Sequence, residues 1–313
     1  MNGLSVRTYD PSERAAWDAF VRQSKNGTFL FERGYMEYHR DRFADCSLLV
    51  SRNGEILALL PANRSGDAVY SHQGLTYGGF VTGATMTTPS MIDAFAALID
   101  HLREAGCRTL YYKTIPTIYH QLPAEEDRYA LFLRNAELYR RDVLSVVPTK
   151  SRIALQARRR RGAEKSARSG VTISRSDDWP GYWSLLSALL EDRFGVAPVH
   201  TLAEIERLRR AFPENIALHV ASLSGDPIAG AVIYESARVA HVQYIAASPR
   251  GRDLGALDQL FVHLLDETYA AKDFFDFGIS NEDDGRTLNR GLIEQKEGFG
   301  ARAVVHDFYR LRI

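Results

Sequence analysis

"SGDPIAGAVIYESARVAHVQYIAASPRG", Ser224 to Gly251, reads as a turn at Gly225-Asp226, an apolar strand, a second strand carrying Gln243, and a loop holding Pro249, Arg250 and Gly251. "NGEILALLPANRSGDAVYSHQGLTYGGFV", Asn53 to Val81, has the same plan. Its turn is Gly54-Glu55 and its second strand region carries Gln73. An amphipathic helix follows in each case. The first has Ile92, Phe95, Leu98, Ile99 and Leu102 on one face, and the second has Leu257, Leu260, Phe261 and Leu264. Each helix leads into a short aromatic strand, "TLYYKTI" or "FFDFGI". The unit strand–turn–strand–helix–strand therefore occurs twice, which is an internal repeat. Helical segments precede both copies: "SERAAWDAFVRQ" and "RGYMEYHRDRF", then "DWPGYWSLLSALLEDRF" and "LAEIERLRRAF".

This pattern predicts an α/β protein of two tandem domains, each a mixed β-sheet flanked by helices. The division falls at "SVVPTKS", where Pro148 interrupts regularity, giving domains 1–147 and 148–313. A chain of 313 residues can bury sizeable cores without disulfides or metals. Cys46 and Cys107 form no CxxC pair or Cys/His cluster, so no metal site is expected; so few cysteines suit a reducing cytoplasm, although two can pair. "MNGLSVRTYDPSERAAWDAF" lacks a signal peptide's basic and apolar regions. No apolar run approaches a membrane span, so a cytoplasmic protein without membrane insertion is expected.

Net charge is zero, which argues against a polyanionic partner for the molecule as a whole. The basic stretch Lys150 to Arg168 is the exception. Arg158, Arg161, Lys165 and Arg168 fall on one helical face, suited to a diphosphate or to tRNA, or simply solvated. The strand-to-helix loop at Arg250 to Ala256 offers an anion site if the helix N-terminus, the glycines and Arg250 and Arg252 act together.

The strand, the "PRGRDLGA" loop and the following helix resemble the acyl-CoA-binding motif of the GNAT superfamily of acetyltransferases, Arg/Gln-x-x-Gly-x-Gly/Ala. Arg250, Asp253 and Gly255 take its positions, so Asp253 replaces a glycine and puts a repulsive charge toward a pyrophosphate. Two tandem units, "GTFLFERGYMEYH", "RRRRGAEKSARSGVTI" and the closing "LIEQKEGFGAR" resemble the FemAB-like branch. The long coiled-coil arm of some Fem proteins has no counterpart here.

The resemblance implies transfer of an acyl group, acetyl in the first instance, from acyl-CoA to an amine on a sugar or cell-envelope polysaccharide precursor, by direct attack in a ternary complex. It implies donor contacts at Tyr244, Ile245, Arg250, Gly251, Arg252, Gly255 and Ala256. It also implies Lys296 as the cation facing a tetrahedral oxyanion. Asp276 is the first candidate base, with Asp283, Asp284, Glu297 and His306 as others; on propensity, a carboxylate in "FFDFGIS" points outward at a strand edge. His72, Gln73 and Tyr77 of the glycine-rich "SHQGLTYGGFV", with Gln243, Ser280, Asn281 and Asn289, are implied contacts to a sugar-nucleotide or saccharide acceptor. The alternatives are a Fem-like transferase drawing on aminoacyl-tRNA bound at Lys150 to Arg168, and a non-catalytic saccharide- or protein-binding module.

Overall fold

The computed structural model describes residues 3–313; Met1 and Asn2, the start of the N-terminal stretch considered for a signal peptide, lie outside the described residues. The chain forms two compact units. The first comprises residues up to Asp142 with Asp283–Arg286 and Val305–Ile313; the second comprises Val143–Glu282 and Thr287–Val304.

The second unit is a mixed sheet in the order Val171–Ser176, Ile216–Leu223, Asp226–Glu235, Val239–Ala247, Phe274–Ile279 and residues 143–148. Ser224 and Gly225 turn the first long hairpin with φ of 54° and 92°, the left-handed pair that matches strand twist. One neighbouring pair is parallel: Val239–Ala247 beside Phe274–Ile279. The crossover between them runs through helices Pro249–Leu254 and Ala256–His263, and Leu260, Phe261 and Leu264 pack on Phe275, Phe277 and Phe299. Helix Ala157–Arg168 lies against that crossover. It does so through Gly162, where a Cβ would stand 2.0 Å from an Asp258 oxygen, and through the buried Arg159–Asp258 ion pair.

The parallel pair stays in register over only Val239–Phe274, Ala240–Phe275 and His241–Asp276. The strands then part. Val239–Ala247 remains on Asp226–Glu235, with a bulge at Gln243 between the pairs Ile233–Val242 and Val232–Tyr244. Phe274–Ile279 goes with residues 144–148, shifting register after Asp276. The sheet therefore splits open at His241 and Asp276.

The first unit opens on the same turn, Asn53-Gly54, with φ of 54° and 87°. Leu4–Thr8, Leu48–Arg52, Glu55–Leu60 and Val81–Thr82 form one antiparallel sheet. Ala44–Asp45, Asn63–Ser65, Ala68–Tyr70, Thr109–Lys113 and residues 305–312 form another run of strands. Helix Thr88–Glu104 connects them, burying Phe95 and Leu98 with Phe80, Leu110 and Tyr112. Of the segment "RGYMEYHRDRF", only Arg33–Met36 is α-helical, followed by a 3-10 turn over Glu37–His39. Cys46 and Cys107 are free thiols, and burial pushes that of Cys46 up to about 12.

Candidate active site

The split in the second unit gathers five polar side chains. Asp276 is wholly buried rather than pointing outward as propensity suggested. Its strand neighbours Phe275 and Phe277 pack in the core, while Asp276 faces the other side of the sheet. Its Oδ1 accepts the Gly278 N–H at 2.8 Å and its Oδ2 meets His241 Nδ1 at 2.9 Å. A carboxylate accepts, so His241 carries its hydrogen on Nδ1 and leaves Nε2 basic. Among the described residues Nε2 has no hydrogen-bond partner, and it is not sealed from solvent. Gly278 sits at φ +71°, and a Cβ there would come 3.3 Å from His241 Cε1.

Lys296 lies in helix Arg290–Glu297, capped by Asn289 through the Leu292 N–H at 3.0 Å. It is 5% exposed. Its Nζ donates to the carbonyls of Gly278 at 3.2 Å and Ile279 at 2.5 Å, leaving one of three N–H bonds for another acceptor. Burial pushes its pKa down to about 8, and the Asp276 charge opposes that shift. Gly298 and Gly300 fix the chain immediately after it. Gly300 has φ +93°, and a Cβ on it would stand 2.4 Å from the Ile153 carbonyl oxygen. The polar, glycine-marked segment near the chain's end thus serves to bring an ammonium group back against the split.

Two acceptor atoms complete the setting. Gln243 Oε1, on the bulge, and Ser280 Oγ, just past Ile279, are both buried without a partner. Buried polar atoms are nearly always satisfied, so these two are left able to bond a further group. Asn281 and Asn289 have structural work instead: Asn281 Oδ1 accepts the Val143 N–H at 2.6 Å, and Asn289 also donates to Glu282 at 2.9 Å. His241 escaped the sequence reading because nothing near it in sequence marks it; its partner is 35 residues away and only the parallel register joins them.

The expected donor loop is placed differently from its role. Tyr244 hydrogen-bonds His200, with Nδ1 to hydroxyl at 2.5 Å, and burial pushes its pKa up to about 12. Ile245 is half-buried and packs on the aromatic core. Pro249 has no N–H, and the Gly251 N–H is taken by Ser248 Oγ at 3.0 Å. Arg252 folds back on the Ala247 carbonyl at 2.9 Å, while Arg250 and Asp253 are exposed. Gly251 and Gly255 are explained by packing: their Cβ atoms would stand 2.2 Å from the Ile228 oxygen and 2.8 Å from the Gly162 oxygen. Ala256 is fully buried. The loop's glycines are thus accounted for by packing, and the exposed Asp253 adds a carboxylate where the motif has a glycine. Beside it, Arg158, Arg161, Lys165 and Arg168 are all exposed on helix Ala157–Arg168, and Lys165 donates to the Asp253 carbonyl at 2.6 Å.

In the first unit, His72 and Gln73 line a cavity. Tyr77 does not; it is a core residue whose hydroxyl bonds Thr28 at 2.9 Å. Of the other candidate bases, His306 is buried, bonded to the Thr114 carbonyl at 2.8 Å and pushed down to about 3 by burial. Asp284 is ion-paired with Arg140 at 2.8 Å. Glu297 ends the Lys296 helix and Asp283 opens the adjoining turn; neither belongs to the group at the split. Among the described residues no cluster of His, Cys, Asp or Glu is placed to hold a metal ion, and no helix is long and apolar enough to cross a membrane.

Residues 149–284 match the model of the acetyltransferase (GNAT) domain. The chain therefore carries a GNAT-type domain across most of its second unit, a match that spans less than half of its length. It is an enzyme of the acyltransferase class. Among solved structures, FemX is 14% identical, with 97% of this chain and 96% of that one covered and a TM-score of 0.68. The C-terminal domain of a putative lysylphosphatidylglycerol synthetase from Agrobacterium fabrum is also 14% identical, with coverage of 96% and 92% and a TM-score of 0.64. A tandem GNAT protein from the clavulanic acid biosynthesis pathway is 12% identical, with coverage of 99% and 98% and a TM-score of 0.53. At these identities the likeness is one of fold. No curated protein matches the chain.

Proposed function

We propose that this GNAT enzyme transfers an aminoacyl group from tRNA to an amine on a sugar or other cell-envelope precursor, by direct attack at the split of the second unit's sheet. The observation that carries the reading is the pairing, at one split, of a basic His241 Nε2 with the Lys296 ammonium. Acyl transfer to an amine needs both. The nucleophile must lose a proton as it bonds to the carbonyl carbon, and His241 Nε2 takes it while Asp276 stabilises the imidazolium formed. Negative charge develops on the carbonyl oxygen, and the free N–H of Lys296 faces it in surroundings where a charge is poorly screened. Collapse expels the carrier's hydroxyl, which receives the proton back from His241.

Two observations favour tRNA as the carrier. The loop expected to hold a pyrophosphate has its Gly251 N–H already bonded and carries the Asp253 carboxylate, whereas the exposed arginine face of helix Ala157–Arg168 suits a phosphate backbone. In addition, the name of one structural neighbour, lysylphosphatidylglycerol synthetase, is that of an aminoacyl-transfer product. Acyl-CoA is the second reading, supported by the match to the acetyltransferase domain and by the exposed Arg250. Filter binding of aminoacyl-tRNA across a salt series, beside calorimetry with acetyl-CoA, separates the two. The tRNA should bind with a salt slope that falls by about one for each of Arg158→Glu, Arg161→Glu and Arg168→Glu, as each leaves one phosphate without its arginine. Micromolar acetyl-CoA binding that is weakened by Arg250→Ala, with tRNA affinity indifferent to the helix, would transfer the assignment to acyl-CoA.

A further inference from the structure

The first unit contains a second split, and a cavity lies in it. Ala68–Tyr70 and Thr109–Lys113 run parallel in register over three pairs, the last being Tyr70 with Tyr111. This matches the second unit, where the last pair is His241 with Asp276. Beyond Tyr70 the chain leaves the strand through Ser71, His72 and Gln73, while Thr109–Lys113 continues to pair with residues 308–312. A cavity of about 260 Å³ opens between these arms, near the lower size limit of small-molecule pockets, about 300 Å³.

The walls are aromatic and hydroxylated. Tyr70 and Tyr111 stack at 4.8 Å and 8°, Tyr139 meets Tyr111 edge-on at 5.7 Å, and Phe308 closes the row. Arg140 lies over the Phe308 ring at 4.5 Å, but its charge is already met by Asp142 and Asp284. Lys113 is different. Its Nζ donates to the Leu75 carbonyl, and no carboxylate pairs with it among the described residues. Burial and the Arg140 charge push its pKa down to about 7. Opposite it, His72 is 3% exposed, held at φ +64°, and its Nδ1 is buried without a partner. A non-glycine residue in that conformation is strained and persists where the surrounding structure holds it.

We propose that this cavity binds a sugar ring bearing one acidic group, with the acid on Lys113 and the ring against the tyrosines. An anion supplies the counter-charge Lys113 lacks and is worth more there than in water. Phenol rings present apolar faces to the C–H side of a sugar and hydroxyls to its rim, and His72 Nδ1 adds a further partner. A flat base would need a parallel slot, whereas Tyr70 and Tyr111 already occupy each other's faces. The site lies within the first unit and does not depend on the donor or chemistry proposed for the second.

The acid can be a carboxylate or a phosphate, so the test uses both. Calorimetry on the full chain compares glucuronate, glucose 6-phosphate, glucose and inorganic phosphate. The two acidic sugars, or one of them, should bind at least tenfold more tightly than glucose and than inorganic phosphate; the tighter of the two identifies the acid. Lys113→Gln should abolish that preference, and Tyr139→Ala should weaken the sugar acids without affecting inorganic phosphate. Lys296→Ala should leave all affinities unchanged, which separates this site from the proposed reaction. Equal binding of glucose and the acids, binding of inorganic phosphate as tight as glucose 6-phosphate, no binding at all, or acid affinity unaffected by Lys113→Gln would each overturn the proposal. Should Lys113→Gln fail to fold by circular dichroism, Lys113→Arg, which retains the charge but displaces it, must still shift the acid affinity.

Discussion

Lys296 makes a prediction that needs no substrate. Its ammonium is 5% exposed and held at a pKa of about 8, against 10.5 for a solvated lysine. Below pH 8 both folded and unfolded chains carry the proton, and the fold bears the full cost of burying it. Between pH 8 and 10.5 the unfolded chain binds more protons than the folded one, so raising the pH stabilises the fold. Above 10.5 both are neutral and the cost is gone. Each pH unit of that interval is worth about 1.36 kcal/mol, giving about 3 kcal/mol in all. Lys296→Met keeps the length and removes the charge. It also loses the bonds to the Gly278 and Ile279 carbonyls, but that loss does not vary with pH. The difference in unfolding free energy, wild type minus Lys296→Met, should therefore climb by about 3 kcal/mol from pH 7 to 10.5. Urea unfolding at half-unit pH steps measures it, with the buried Trp179 and Trp183 as fluorescence reporters in the same unit. Titrations common to both proteins cancel. A difference that stays flat across this range would mean Lys296 titrates like a surface lysine, and the buried-ammonium argument fails with it.

Three further outcomes can be checked on the same protein. In the transfer reaction, Lys296→Ala should lower kcat about 10²–10³-fold with little change in KM, and wild-type kcat should fall as pH rises through about 8, where the ammonium is lost. His241→Ala should cost about 10²–10⁴ in kcat. Asp276→Asn should also lower kcat, because an amide can donate to His241 Nδ1 and shift its hydrogen to Nε2; steady-state rates on both variants test this, and full activity in either would remove His241 as base. Asp258→Asn strands the buried Arg159 charge and should destabilise the second unit by about 3–5 kcal/mol, read from chemical denaturation.

The tandem architecture was legible because it rests on local signals: two left-handed turns, Asn53-Gly54 and Ser224-Gly225, two amphipathic helices and two aromatic strands. Lys296 was singled out by the resemblance of its glycine-marked segment, but its burial against the Gly278 and Ile279 carbonyls depends on contacts distant in sequence. The burial of Asp276 was not. Alternation along "FFDFGI" places Phe275 and Phe277 on one side, but only the sheet's neighbours decide that the other side is buried as well. The role of the glycines at 251 and 255 was hidden for a related reason. A glycine spared for a phosphate and one spared for a carbonyl read alike in sequence, and only the approach to Ile228 and Gly162 tells them apart. Tyr77 illustrates the reverse error: a tyrosine among glycines suggested a ligand contact, whereas the glycines admit the backbone to Ser71 and Tyr112 and the tyrosine fills core.

The two splits show how one backbone device takes different chemistry. Parting a parallel pair leaves two strand ends whose side chains converge on one opening, so the last registered pair decides what the opening can do. In the second unit that pair is His241 with Asp276, joined by a 2.9 Å hydrogen bond, a proton acceptor held by a buried acid. In the first it is Tyr70 with Tyr111, two stacked phenol rings with no carboxylate–imidazole pair between them. Each opening also receives a lysine, but from a different source. Lys296 comes from a helix after the second strand and is held by two carbonyls of that strand, so its charge has a fixed direction. Lys113 is the last residue of the strand itself and bonds a single loop carbonyl, so most of its donors remain available to a bound group. Direction is what stabilising a developing oxyanion requires, and available donors are what holding a stable anion requires. On this reasoning, replacing Tyr70 and Tyr111 by His and Asp would not by itself make the first unit catalytic, because its lysine is placed to bind rather than to face a reacting carbonyl.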